Sequence, residues 1–153
     1  MKIWMVDDDV RVQRLVTRLL GNFMPRAEVA LFHSPLPALA ALATESPDLV
    51  LMDGVMPGMS GPEAVAELRR RGWTGPVIEM HGYLPADYRV PPGSRLLMKP
   101  FHSTALLDLV SELVKTFFDD FYNLLTICMT LQWIIHSTVM CRIHQLQLII
   151  DLR

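Results

Sequence analysis

The sequence predicts an α/β domain with a five-stranded, doubly wound parallel sheet. Two observations carry this. Short apolar runs alternate with helix-period segments along the first hundred or so residues, and Asp7-Asp8-Asp9, Asp53 and Lys99 fall directly after apolar runs. Each element follows from its local pattern. Ile3 to Val6 is a buried strand ending in Asp7-Asp8-Asp9. Val12, Leu15, Val16, Leu19 and Leu20 recur at helical spacing, with Gly21 as the expected stop. Val29 to Phe32 is the second strand, and Pro37 to Ala43 an alanine-rich helix ended by Ser46-Pro47. Leu49 to Met52 is the third strand, leading into Asp53. Ser60 and Glu63 form a capping box for a helix reaching Arg71 and closed by Gly72. Val77 to Met80 and Leu96 to Met98 are strands four and five. A last helix carries Leu106, Leu107, Val110, Leu113 and Val114 on one face. Only residues 83–95 separate strands four and five, and they include Pro85, Pro91 and Pro92. Each proline inside a helix costs roughly 3 kcal/mol, so the fourth helix is expected to be shortened to a single turn at most.

The 153 residues suffice for one domain of ordinary size, with about two thirds of the unfolded chain's surface buried. With 51% hydrophobic and 20% charged residues, a disordered or fibrous chain is excluded. The net charge of −2 argues against a nucleic-acid partner, which calls for a basic surface. Met1-Lys2-Ile3-Trp4 runs into acids at once, unlike a secretory leader. Cys128 and Cys141 stand late, without metal-ligand spacing, so a cytoplasmic location is expected.

All 8 glycines and all 11 prolines fall at or before position 100. Residues 1–116 are therefore read as a complete domain, and 117–153 as an apolar C-terminal extension of different character. The stretch Phe121 to Cys141 is about as long as a membrane span, but Asn123, Thr126, Thr130, Gln132, His136, Ser137 and Thr138 make a membrane location disfavoured. Phe117, Phe121, Leu124, Cys128, Leu131 and Ile135 fit a helix that forms a homodimer or packs on another surface. A foreign remnant is the third reading.

Parallel strands end at one edge of the sheet, where ligands bind at the reversal of strand order. Asp7, Asp8, Asp53 and Lys99 all sit just beyond strand ends. If strands one and three are neighbours, the carboxylates converge, and their repulsion calls for a hard divalent cation, Mg²⁺ before others. Lys99 adds a point charge for a phosphoryl oxygen, and the remaining carboxylate can attack phosphorus. Such a site makes an acyl phosphate on aspartate. Asp9 reads as a helix cap, Arg69-Arg70-Arg71 as a solvated helix end, and Met52, Met56 and Met59 as packing.

Val6-Asp7-Asp8-Asp9, the run from Leu49 to Gly61 and Met98-Lys99-Pro100-Phe101 together resemble the receiver domain of two-component response regulators. The resemblance spans residues 2 to about 116. It implies a CheY-like, flavodoxin-like fold with strand order 2-1-3-4-5. It also implies phosphorylation of Asp53 by a histidine kinase or histidine phosphotransfer protein. Mg²⁺ would be held by Asp7, Asp8, Asp53 and the backbone carbonyl of Val55, Lys99 would grip the phosphoryl group, and Lys99-Pro100 would be cis. Such a domain assists its own phosphorylation and dephosphorylation but is not a turnover enzyme.

Two positions leave the family's pattern. His81 stands where a phosphoryl-sensing Ser or Thr is usual, and Leu96 stands where a Tyr or Phe is usual. His81 is either a donor to the phosphoryl group or a lining of the pocket rim. The usual hydroxyl-to-aromatic relay is expected to be absent or rebuilt. The segment from Gly82-Tyr83 through Pro91-Pro92-Gly93 to Lys99-Pro100-Phe101 looks like receivers attached to hybrid histidine kinases. A pseudo-receiver acting as a scaffold, without productive phosphorylation, is the alternative. A haloacid-dehalogenase-type hydrolase fits less well, since Arg11 replaces the expected threonine.

Overall fold

In the computed structural model, residues 1–114 are described and form one compact unit. The expected extension, with its homodimer or packing helix, lies outside the described residues. Five strands, β1 (Lys2–Val6), β2 (Glu28–Phe32), β3 (Leu49–Asp53), β4 (Val77–His81) and β5 (Ser94–Met98), form one sheet in the order β2-β1-β3-β4-β5. All four neighbouring pairs are parallel. The helices are α1 (Val10–Phe23), α2 (Pro35–Ala41), α3 (Gly61–Arg70) and α4 over 103–114.

The strand period of two sorts the apolar side chains onto two faces. Ile3, Met5, Leu49, Leu51, Ile78 and Met80 meet Val16 and Leu20 of α1 and Leu106 and Val110 of α4. Trp4, Val6, Val50, Met52 and Val77 meet Ala38 and Leu39 of α2 and Ala64, Val65 and Leu68 of α3. Full burial of each such side chain contributes about 1.5–3 kcal/mol. The two cores clamp β1 and β3 at the centre, and the ends of those strands carry the acids.

Gly21 does not stop α1, which continues to Phe23. An exposed glycine only weakens a helix; the residue before Pro25 cannot stay helical, and Met24 turns out at φ −133°. Similarly, α2 starts at Pro35 rather than Pro37, because proline suits the first turn, whose N–H groups have no partner inside the helix. Between β4 and β5 the expected shortened helix is a loop with turns at 86–87 and 92–93. Its hydrogen bonds are local, Tyr88 N to Pro85 O and Ser94 N to Pro91 O, as three prolines dictate.

The capping box at α3 is complete: Ser60 Oγ accepts from Glu63 N, and the Glu63 carboxylate accepts from Ser60 N at 2.8 Å. Ser60→Ala is expected to lower unfolding free energy by about 1 kcal/mol, read as a lower urea midpoint with unchanged slope.

Candidate functional site

Asp7, Asp8 and Asp53 reach the carboxyl edge because β1 and β3 are adjacent and end together. One carboxylate oxygen from each lies within 4.8 Å of the others. Asp7 and Asp53 are buried, and Asp8 is exposed. Lys99, just past β5, donates from Nζ to Asp7 Oδ2 at 2.8 Å and to Asp53 Oδ1 at 2.7 Å. Its amide donates to His81 O at 2.6 Å, which ties the end of β5 to the end of β4, and the Lys99-Pro100 bond is cis. Burial alone would lower the Lys99 ammonium, but its bonds to Asp53 and Asp7 outweigh this and raise its pKa.

Two neighbours of Asp7 shape the cluster. Asp9 caps α1 through Arg11 N and gives its own N–H to Asp7 Oδ1 at 2.8 Å, so the third acid of the run serves the first. Arg11 holds the Asp9 carboxyl down to about 2. Gln13, buried on α1, donates from Nε2 to Asp7 O and Phe32 O. It pins the ends of β1 and β2, and its position in the apolar stripe between Val12 and Val16 was the available signal.

The loop after Asp53 is set by close approach. A Cβ on Gly61 would lie 2.2 Å from Asp53 O, so only glycine lets α3 begin against that carbonyl. Met56 anchors the loop in the core while Val55 is 74% exposed. Asp7, Asp8 and Asp53 therefore share one rim with Lys99. Hard carboxylate oxygens at this spacing fit a small divalent cation.

His81 is buried at the end of β4. Its Nε2 lies 3.3 Å from Glu79 Oε2, its ring is 5.1 Å from that of Tyr88, and its Nδ1 edge abuts Gly54. Sequence reading missed Glu79 and Tyr88. The signal was a lone acid in an apolar strand, two residues before a histidine and so on the same face.

A doubly wound sheet with three acids and a lysine gathered at its carboxyl edge defines a signalling domain of the phosphoryl-receiving type. The model of the response regulator receiver domain matches residues 3–111, and the chain belongs to that family. It is 35% identical over 117 residues to response regulator protein FleR of Pseudomonas aeruginosa, covering 72% of this chain and 24% of FleR. It is 30% identical over 117 residues to the DNA-binding transcriptional regulator NtrC of Salmonella typhimurium, covering 74% and 24%. The chain thus spans about a quarter of the length of these curated relatives. Among solved structures, the receiver domain of a DNA-binding response regulator from Colwellia psychrerythraea is 28% identical with TM-score 0.68, covering 75% of this chain and 98% of that one. Chemotaxis protein CheY4 of Vibrio cholerae, 24% identical with TM-score 0.64 over 73% and 97% of the chains, shares the fold. Among the described residues no helix is long and apolar enough to cross a membrane.

Burial raises the Asp7 carboxyl above its ordinary value, and the Lys99 hydrogen bond offsets this only in part. A carboxyl raised on folding contributes stability below the ordinary carboxyl range, and that contribution is lost as pH rises through the folded value. At neutral pH in chelator, Asp7→Asn is therefore expected to raise the thermal midpoint. A lower midpoint would show that the Lys99 pair outweighs burial. Gly61→Ala is expected to lower the midpoint, because backbone at Asp53 has to move.

Proposed function

We propose that this chain accepts a phosphoryl group on Asp53 from a phosphohistidine, carried by a histidine kinase or a histidine phosphotransfer protein, and signals through protein contacts. The observation that carries the reading is Lys99 Nζ bridging Asp7 and Asp53, with Asp8 in the same cluster. An Asp53 carboxylate oxygen attacks phosphorus, the P–N bond breaks, and its electron pair stays with the departing imidazole. Lys99 keeps the Asp53 carboxyl oriented before attack. It then follows the charge onto a phosphoryl oxygen, with Asp7 still holding its ammonium in place. Asp7, Asp8, Asp53 and the Val55 carbonyl are the groups that would hold Mg²⁺. When bound, Mg²⁺ supplies positive charge for the phosphoryl oxygens.

A shallow apolar hollow lined by Val12, Leu15, Pro100 and Phe101 adjoins Lys99 and offers the phosphodonor protein a footing. The chain assists attack by water on its own acyl phosphate, and we place it in the cytoplasm. The likeness to receivers of hybrid histidine kinases rests on the proline-bearing 82–93 loop. No observation favours the scaffold reading over phosphorylation.

The test is intact mass after incubation with acetyl phosphate and Mg²⁺. The parent chain is expected to gain one phosphoryl group, labile to base, and Asp53→Ala none. A parent chain with unchanged mass would establish the scaffold instead. Lys99→Met is expected to slow uptake by about a hundredfold, in the range of lost charge stabilisation at a transferring group.

A further inference from the structure

Glu79 is a carboxylate in the middle of β4 with no exposed surface, between Met52 of β3 and Leu96 of β5. Acids are almost never so placed without partners. Its Oε2 accepts a short hydrogen bond from the Tyr88 hydroxyl and faces His81 Nε2 at 3.3 Å. Its Oε1 has no hydrogen-bond partner among the described residues. One oxygen therefore meets two polar groups, one on β4 and one in the following loop. Burial and the neighbouring carboxylate hold the Tyr88 phenol far above its ordinary pKa, so it is a donor at every working pH.

Tyr88 belongs to the 82–93 loop, whose backbone bonds are local or lie at its ends. Among the described residues, the Tyr88 hydroxyl makes the one side-chain hydrogen bond that ties this loop to the sheet. On the other side, the His81 ring is pressed against Gly54: a Cβ there would stand 2.2 Å from Nδ1. Gly54 directly follows Asp53, and its N–H donates to Met80 O at 2.7 Å. The contacts run without a gap from the backbone of Asp53 to the loop, through Gly54, His81, Glu79 and Tyr88.

We propose that Glu79 is a latch that holds the 82–93 loop on the sheet while Asp53 is unmodified, and that filling the Asp53 site opens it through His81. This rests on the reading of Asp53 as the phosphoacceptor and names what that event moves. The His81 ring presents Nε2 to Glu79 and its Nδ1 edge to Gly54, so one ring can donate toward either side. Charge arriving beside Gly54 draws that donor or shifts the peptide against the ring, and either change disturbs the shared oxygen. Tyr88 then loses both its ring neighbour and the geometry of its bond. His81 and Tyr88 thus stand in for the missing hydroxyl and aromatic, joined by a buried acid. Coupling of this kind is reciprocal: weakening the latch favours the filled site.

The experiment uses the full chain, with beryllofluoride plus Mg²⁺ as the phosphoryl probe. Binding is followed by fluorine NMR, and amide exchange of 82–93 by mass spectrometry. In the parent chain the probe is expected to speed exchange in the loop. Tyr88→Phe is expected to exchange fast with or without the probe and to bind it about fivefold more tightly or better. Tyr83→Phe, changed at an exposed side chain of the same loop, is expected to match the parent. Glu79→Gln is expected to shift affinity in the same direction, and the double variant to add nothing further. Equal affinity in parent and Tyr88→Phe, or loop exchange indifferent to the probe, overturns the latch and leaves Asp53 as acceptor. Failure of the parent to bind the probe overturns both.

Discussion

Everything at the carboxyl edge depends on a charge imbalance that Lys99 only partly corrects. Two buried carboxylates and an exposed third face one ammonium, which bonds the two buried ones. Removing that ammonium would leave like charges in a poorly solvated rim, where the repulsion is far stronger than in water. The rise in the Asp7 pKa shows which way the balance falls: burial wins over the lysine. A core chosen for stability alone would not hold this group of residues. The site carries an excess of negative charge, which a divalent cation would offset.

The fold makes the imbalance geometrically unavoidable. The acids lie beyond β1 and β3, the two central neighbours, and apolar layers on both faces fix these strands to within a side chain's width. Gln13 locks the ends of β1 and β2, and Gly61 lets α3 start directly on the Asp53 carbonyl. The carboxylates cannot relax apart without breaking the sheet or the helix starts. Preorganisation here means that the repulsion has nowhere to go.

The half of the molecule built on period and spacing was readable in the amino-acid sequence. Alternating Ile3, Trp4, Met5 and Val6, the Ser60-Glu63 box and the acids after strands lead directly to elements that the structure contains. Helix ends were less readable, because Gly21 and Pro25 compete as stop signals and only the backbone restriction before proline is decisive. Side-chain partners across long separations were not readable at all. Nothing local announces that Gln13 will reach Phe32, or that Tyr88 will turn inward to Glu79 while Tyr83 stays in solvent. His81 illustrates the limit: its place in the motif was clear, but its ring orientation depends on Glu79 and Gly54.

The loop over 82–93 and the buried acid of β4 explain each other. A helix over 82–93 would lay apolar side chains on the face of β4, and a carboxylate at position 79 would then be buried without a donor at a cost of several kcal/mol. The prolines at 85, 91 and 92 prevent that helix, and the loop that replaces it delivers a neutral phenol to the carboxylate. Arg69 on α3 is close enough for Glu79 to oppose the lowering of its guanidinium by burial, so the acid also has a cation in its surroundings. Replacing the helix by the loop therefore turns an apolar contact, which holds by area and tolerates sliding, into a directional bond that is either made or broken. A surface held that way responds to small movements at its inner end. That is the property required of a segment whose inner neighbour, His81, rests on the residue after Asp53.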